Sequence, residues 1–235
     1  MEAVPRLLEG SVRSVNIGHL APNPAKGNLT AIGKRPVAGP VWVSAPGVAK
    51  GKSGLAGDAI GDGRHHGGDD QAVYVFARED LDAWEAQLGR DLPDGCFGEN
   101  LTTVGLRPDR ALLGEIWRVG DGLLLQVTGP RIPCKTFVSR MGVRGWARRF
   151  TESGRPGAYL RVLEPGLVQA GDAICVVERP GHDVDVATAL SAFTTRPELL
   201  PRLLAAGGSL SAQGRAEVEK ALAKRGTSAA LAAPP

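Results

Sequence analysis

The chain has little cysteine, few aromatic residues and no long apolar run, and each shortage excludes a class of protein. Its three cysteines in 235 residues, Cys96, Cys134 and Cys175, are too scattered for a disulfide framework or an iron–sulfur cluster. At least one thiol must stay unpaired, which is typical of a reducing cytoplasm. No window reaches the roughly 18 apolar residues that a membrane helix needs, and residues 1–10 lack the pattern of a signal peptide. We therefore expect a cytoplasmic protein without a membrane partner.

The charge pattern gives little reason to expect a nucleic-acid partner. The net charge is only +3 and aromatic residues make up 5% of the chain. The sequence pI of about 8.9 suggests a polyanion partner, but the basic residues are spread along the chain and are not interleaved with aromatic ones. Nucleic-acid binding is therefore a weak alternative.

The abundant residues predict a mainly β fold with inserted helices. Hydrophobic residues make up 43% of the chain, which is enough for a core, and 32 glycines and 17 prolines favour turns and short strands. Residues 71–77 are apolar on both faces and predict a central strand, and Gly120-Asp121-Gly122 predicts a hairpin. Helices are predicted over residues 79–87 and 140–150. About eight strands with two inserted helices indicate a closed or nearly closed β-barrel.

The pattern changes from strands to helices after about residue 179. Helices are predicted over residues 184–193, 197–206 and 211–224, with Ser209 or Ser211 as a capping residue. We therefore predict a barrel domain over residues 1–178, a three-helix domain over residues 183–226 and a loose tail over residues 227–235. We expect the helical domain to fold as a separate unit and to take no part in the main pocket.

Cys134 lies in the most distinctive stretch, residues 129–137, which reads Gly-Pro-Arg-Ile-Pro-Cys-Lys-Thr-Phe. Two prolines stiffen the backbone at the predicted end of a strand. The neighbouring Arg131 and Lys135 are cationic, and such surroundings lower the pKa of a thiol and make it reactive. The alternative is that Cys134 is a buried small hydrophobic residue.

A second cluster, Arg64-His65-His66-Gly67-Gly68, lies in a glycine-rich segment that predicts an extended surface loop. Adjacent histidines of an extended segment point in opposite directions, and the further ligands of a zinc site are missing. The two glycines can instead form an anion-binding nest through their N–H groups. The alternative is a tight turn in which one histidine is structural.

Two weaker signals remain. Glu99 and Asn100, in Phe97-Gly98-Glu99-Asn100, supply a carboxylate and an amide that can recognise a heterocycle, although the same residues suit an ordinary turn. The basic stretch from residue 140 to residue 149 is either a solvated helix face or a source of one arginine, Arg140 or Arg144, that holds a phosphate.

Taken in order, these motifs resemble the MOSC domain. The resemblance rests on Arg-His-His-Gly-Gly, Tyr-Val-Phe-Ala-Arg-Glu-Asp-Leu, Gly-Xaa-Phe-Gly-Glu-Asn-Leu-Thr-Thr and Arg-Ile-Pro-Cys-Lys, and it covers about residues 16–178. More narrowly, the chain resembles the YiiM-like branch, which is linked to resistance against N-hydroxylated purine analogues. The C-terminal helices resemble the small triple-helical domain that follows the barrel in this branch.

The resemblance implies a β-barrel that binds the molybdenum cofactor, a pterin dithiolene carrying a phosphate. Cys134 matches the cysteine expected to bind molybdenum and would be the catalytic and metal-binding residue. The implied cofactor-binding residues are Arg64, His65, His66, Gly67, Gly68, Glu99, Asn100, Arg131 and Lys135.

The activity implied by the resemblance is reduction of N-hydroxylated compounds, such as hydroxylaminopurines. The electrons would come from a partner redox protein, because the chain carries no flavin, haem or iron–sulfur motif. The alternative is a non-catalytic carrier of the cofactor, or of a persulfide sulfur on Cys134.

Overall fold

A computed structural model describes residues 7–231, and it describes side chains for residues 10–223. The strands in this part of the chain are β1 (Leu7–Ile17), β2 (Ala21–Asn23), β3 (Asn28–Thr30), β4 (Arg35–Pro36), β5 (Val41–Val43), β6 (Val73–Ala77), β7 (Leu101–Val104), β8 (Ile116–Val119), β9 (Leu123–Pro130), β10 (Ala158–Glu164), β11 (Gly166–Val168) and β12 (Ala173–Glu178). The α-helices are α1 (Arg78–Leu88), α2 (Lys135–Met141), α3 (Trp146–Glu152), α4 (Val186–Thr194) and α5 (Ala212–Leu231). Three 3-10 helices cover Asp69–Gln71, Pro108–Arg110 and Pro197–Ser209.

Seven strands close into a barrel, which confirms the predicted fold class. Their order is β1-β12-β8-β9-β10-β6-β7, and β7 returns to pair with β1. Neighbouring strands are antiparallel except β6 and β7, which are parallel because α1 connects them. Closure leaves no exposed edge around the ring, and β4 pairs with the end of β1 outside it.

Strand β6 is buried at all five positions because both of its faces are covered. Val73 and Val75 belong to the apolar cluster that fills the barrel, while Tyr74 and Phe76 belong to a second cluster under helices α1, α2 and α3. This alternation follows from the two-residue repeat of a strand. It explains why the apolar run over residues 71–77 has no polar face.

The predicted helix over residues 140–150 was wrong. The chain forms two helices there, with α2 ending before Gly142 at φ 62° and α3 starting after Gly145 at φ 72°. Glycine adopts this left-handed conformation readily, and it is the usual residue at the end of a helix. The break turns the aromatic side chains of both helices onto one cluster with Phe97, whose ring centroid lies 5.0 Å from that of Phe137.

The C-terminal segment is helical, as predicted, but its middle part is a 3-10 helix that contains Pro197 and Pro201. Ser211 caps α5 by accepting a hydrogen bond from the Gly214 N–H at 3.0 Å. Helix α5 continues to Leu231, so residues 227–231 of the predicted loose tail (227–235) belong to the helix. Residues 232–235 of that tail lie outside the described residues.

The helices pack directly on the barrel. Leu113 N–H donates to the Val184 carbonyl at 3.0 Å, and Val186 N–H donates to the Ala111 carbonyl at 3.0 Å. Leu203 belongs to the same apolar cluster that fills the barrel. The domain boundary near residue 179 stays a prediction, but the parts on either side of it share one core. No helix in the described residues is long and apolar enough to cross a membrane.

Candidate functional site

Cys134 lies between β9 and α2, at the mouth of a cleft in the barrel rim. Its carbonyl accepts the Val138 N–H at 3.0 Å, so the residue is held at the first turn of α2. The aromatic cluster fixes α2 through the buried ring of Phe137. We call this space, about 580 Å³ and partly open to solvent, the Cys134 cleft; its walls include Lys34, His66, Gln71, Asn100, Arg131 and Tyr159.

The surroundings of Cys134 favour the thiolate. Burial by itself raises the pKa of the thiol, but the hydrogen bond that His66 donates to it, the charge of Arg131 and the Phe137 N–H outweigh burial and lower the pKa to about 6. At neutral pH the sulfur is therefore mainly a thiolate, which is the reactive and metal-binding form of cysteine. The other two cysteines do not line this cleft, and burial raises the pKa of Cys96 well above its ordinary value.

Arg131 places a buried positive charge in the wall of the cleft. Its side chain is only 6% exposed, and one of its terminal nitrogens donates to the Tyr159 hydroxyl at 3.3 Å. The guanidinium lies 4.9 Å from the ring centroid of Tyr74 and 4.8 Å from that of Phe137. Within the described part of the chain its Nε has no hydrogen-bond partner, and no carboxylate pairs with it. A cation with an unused donor attracts an anionic ligand.

Lys34 is a second buried cation of the cleft, and no sequence motif pointed to it. Its ammonium pairs with Asp58, a carboxylate without exposed surface. Burial lowers the pKa of Lys34, and the charge of Asp58 opposes that effect. Asp58 also accepts hydrogen bonds from the Gly18 N–H at 2.8 Å and from the Asn100 amide at 2.9 Å.

Asn100 lines the cleft, but most of its hydrogen-bonding capacity is used inside the protein. Its amide nitrogen donates to Asp58, and its amide oxygen accepts the Tyr74 N–H at 3.1 Å. The side chain therefore ties β6 to the loop that carries Asp58. Its main role in this structure is to hold the floor of the cleft.

The Arg-His-His-Gly-Gly cluster is divided by the structure. His66 and Gly67 line the Cys134 cleft, whereas His65 is exposed and faces a neighbouring cavity, and the exposed Arg64 lines neither. Gly67 has φ 80°, and a Cβ there would lie 2.4 Å from the Lys52 carbonyl oxygen, so only glycine fits. The predicted nest needs a correction, because the Gly68 N–H donates to the Lys52 carbonyl at 3.0 Å.

Three further residues of the sequence interpretation lie away from the cleft. Glu99 has no exposed surface, and its carboxylate closes a turn by accepting the Gly95 N–H at 2.6 Å and the Phe97 N–H at 3.0 Å. Burial raises the pKa of Glu99 to about 7. Lys135 is exposed on α2. Arg140 donates to the Cys96 carbonyl at 2.7 Å, so it supports the fold and does not face the cleft.

A second cavity of about 960 Å³ adjoins the cleft, with His66, Gln71 and Tyr159 as shared walls. We call it the helix-side chamber, because its far wall is formed by residues of the C-terminal segment, among them Phe193, Leu210, Gly214 and Glu217. Among the described residues, none from the C-terminal helices lines the Cys134 cleft itself. The helices were predicted to stay apart from the pocket, but they enclose the space beside it.

The fold and the site define a class of protein: a closed β-barrel whose rim carries an activated thiolate next to buried cations. The model of the MOSC domain matches residues 62–175. The YiiM protein of Escherichia coli is 32% identical over 165 residues, which cover 66% of this chain and 71% of that protein. The chain belongs to the MOSC-domain family and to its YiiM-like members, as the motifs predicted.

Two more comparisons extend this result. The crystal structure of YiiM from Geobacillus stearothermophilus superposes with a TM-score of 0.73 at 27% identity, covering 91% of this chain and 99% of that one. A protein named reductase from Gibberella moniliformis is 33% identical over 184 residues, or 77% of this chain. That match covers 31% of the longer fungal protein.

Proposed function

We propose that the protein binds the molybdenum cofactor at the Cys134 cleft and reduces the N–O bond of hydroxylamino compounds. The observation that carries the proposal is the Cys134 thiolate beside His66 and the buried, unpaired Arg131. The similarity to a protein named reductase supports the reaction class. We further propose that a partner redox protein supplies the electrons. Three free cysteines support a cytoplasmic location.

The residues present fit such a cofactor. A thiolate is a soft ligand that suits a metal already held by dithiolene sulfurs. In the part of the chain that the structure describes, Arg131 has an unused buried donor and no carboxylate partner, so it suits the negative charges of the dithiolene and the phosphate, whereas the charge of Lys34 is offset by Asp58. Among the described residues, no group of three or more His, Cys, Asp and Glu side chains could hold a metal ion by itself. When bound, the cofactor supplies the two-electron redox chemistry that cleavage of an N–O bond requires.

The protein's own side chains hold the cofactor, orient the substrate and supply protons. In the overall reaction R–NH–OH takes up two electrons and two protons, the N–O bond breaks, and R–NH₂ and water leave. Cys134 would hold the metal, and the hydrogen bond from His66 favours the thiolate form of its sulfur. His66 lies at the boundary between cleft and chamber, so its imidazole can also hold or pass on a proton.

The test uses protein made in a host that produces the molybdenum cofactor. Molybdenum is measured per chain, and reduction of N6-hydroxyadenine is followed with reduced viologen as electron donor. We expect close to stoichiometric molybdenum and turnover in the wild type, and loss of both in Cys134→Ser. Cys175→Ser is the matched control, because Cys175 lies on β12 and does not line the cleft.

The carrier alternative uses the same thiolate. It predicts molybdenum or a persulfide on Cys134 with no turnover under any electron donor. Wild-type protein that is fully loaded with molybdenum but does not reduce N6-hydroxyadenine would favour the carrier over the reductase.

A further inference from the structure

We infer that the helix-side chamber receives the planar heteroaromatic ring of the substrate, that Gln71 holds the edge of that ring, and that Tyr159 holds the N–OH oxygen near Cys134. This inference rests on the proposed function and deepens it, because it assigns substrate recognition to a space partly built by the C-terminal helices.

The chamber has the mixed surface that a flat, hydrogen-bonding ring requires. Phe193, Leu210 and Ile132 supply apolar surface, and Ile132 is 43% exposed although it follows the rigid end of β9. Polar groups stand at the edges, with Glu217 on α5 and Gln71 at the junction. Pockets for small organic ligands combine apolar walls with a few polar groups in this way.

Gln71 is the clearest unused polar group of the junction. Its amide oxygen is buried and has no partner among the described residues, although the side chain lines both cavities. Buried polar atoms are normally hydrogen-bonded, so an orphan acceptor beside a cavity indicates a ligand that donates to it. An amide carries both an acceptor and donors, which matches the edge of an aminated heterocycle.

Gln71 is also held firmly. Its backbone N–H donates to the Gly68 carbonyl at 3.0 Å. The preceding residue, Asp70, pairs with Arg161 at 2.7 Å and accepts the Ala212 N–H at 2.9 Å. The amide is therefore presented from a backbone fixed at both the barrel and α5, as a specificity residue requires.

Tyr159 offers a donor at the same junction. Its hydroxyl oxygen accepts a hydrogen bond from Arg131, so its own hydrogen is left for another acceptor. Burial raises the pKa of Tyr159, which keeps the hydroxyl neutral and able to donate. A hydroxyl in this place can hold the oxygen of an N–OH group between the chamber and the cleft.

Helix α5 shapes the chamber through close packing at Gly214. A Cβ at this position would lie 3.0 Å from Ser211 Oγ, 3.2 Å from Leu210 Cδ1 and 3.3 Å from Phe193 Cζ, and all three residues line the chamber. A branched side chain at position 214 would displace these side chains and so change the shape of the chamber. The packing of α5 at Gly214 therefore helps to set the shape of the chamber.

The experiment compares Gln71→Met, which keeps length and removes the amide, with Gln169→Met on an exposed loop. Adenine, which carries the ring but no N–O bond, is titrated into purified molybdenum-loaded protein by calorimetry. KM and kcat are measured with N6-hydroxyadenine, and molybdenum content is measured in the same samples. We expect Gln71→Met to weaken adenine binding and raise KM by about tenfold, with kcat and molybdenum content nearly unchanged, since one buried hydrogen bond is lost.

Two further variants separate recognition from folding. Tyr159→Phe keeps the ring, and we expect a several-fold loss of N6-hydroxyadenine turnover with adenine affinity retained. Gly214→Val removes no polar group, and we expect weaker adenine binding because the shape of the chamber changes. A melting temperature near that of the wild type shows that each variant is folded.

The outcomes also distinguish this inference from the proposed function. Unchanged adenine affinity in both Gln71→Met and Gly214→Val overturns the chamber assignment, even if the wild type is an active reductase. Loss of molybdenum in step with adenine binding also overturns it, because the chamber would then hold the cofactor. Adenine binding that depends on Gln71 in a protein without turnover supports the chamber and overturns the reductase.

Discussion

The carboxylate of Asp70 accepts a hydrogen bond from the backbone N–H of Ala212 at 2.9 Å, across 142 residues of sequence. Its other oxygen pairs with Arg161 at 2.7 Å on β10. One side chain thus joins the glycine-rich loop, the barrel and the first turn of α5. Because Gln71 follows directly, this link connects the C-terminal helices to the boundary of the site.

We predict that Asp70→Ala lowers the melting temperature by roughly 2–4 °C, which corresponds to about 1 kcal/mol in a chain of this size. The variant leaves the Ala212 N–H and the partly buried guanidinium of Arg161 without their acceptor. Asp183→Ala is the control, because Asp183 pairs with Arg202 from an 80% exposed side chain and such pairs contribute little. Calorimetric melting curves compare the two. An equal fall in melting temperature in the two variants would mean that Asp70 stabilises the fold no more than an exposed ion pair does.

A chain ending at residue 179 tests the predicted domain boundary. From the sequence we expect such a chain to stay soluble and to bind the cofactor. In the structure, however, Val186, Ala189 and Leu203 belong to the apolar cluster that fills the barrel, so removing the helices would leave part of that cluster uncovered. Exposed apolar patches of this kind favour aggregation. We now expect the shortened chain to be less stable and more prone to aggregate, as measured by light scattering and thermal melting. If the shortened chain is monodisperse and melts like the full chain, the barrel is an independent domain that ends near residue 179.

The pKa of Cys134 predicts an unusual pH profile for alkylation. The rate of reaction with iodoacetamide should rise through pH about 6 and level off by about pH 8, whereas an ordinary thiol still gains reactivity at that pH. The sign follows from the thiolate being the nucleophile, since a lowered pKa moves its population to lower pH. Mass spectrometry of the peptide that contains Cys134 measures its alkylation separately from that of the other two cysteines.

His66→Ala should move the midpoint of this profile upward, because the thiolate loses the hydrogen bond of the imidazole. His65→Ala is the matched control: His65 is exposed and does not line the Cys134 cleft. A shift of equal size in both variants would show that the effect is not specific to the contact with His66.

Arg131→Met should separate stability from binding. Removing a buried cation that lacks a carboxylate partner can leave the fold as stable as before or more so, because a desolvated charge is lost. We expect the affinity for the cofactor to fall about tenfold in the same variant, and the molybdenum content to fall with it, because about 1.4 kcal/mol of lost charge-assisted bonding is a factor of ten in Kd. Lys135→Met removes an exposed charge next to Cys134 and should change neither quantity. Thermal melting and metal analysis decide between these outcomes.

Much of the fold was predictable because local patterns carried it. The buried run of β6, the hairpin of β8 and β9 around Gly120-Asp121-Gly122 and the three C-terminal helical segments were all visible as short-range periodicity and turn chemistry. The break between α2 and α3 was missed although Gly142 and Gly145 stand in the sequence. The spacing of apolar residues there suits one helix, and glycine is not an absolute barrier to one.

The candidate site was only partly predictable. The sequence by itself identified the family and predicted Cys134 and Arg131 as site residues, because these depend on motifs whose residues are close along the chain. Only the tertiary structure decided that His66 and not His65 contacts the thiolate, that Glu99 closes a turn, and that Lys34 and Gln71 face the cleft. Those roles arise when barrel closure and α5 bring distant loops to one rim, and each depends on which side of the backbone a group faces. No local pattern encodes that direction, since it is set by strand register and by packing against residues far along the chain.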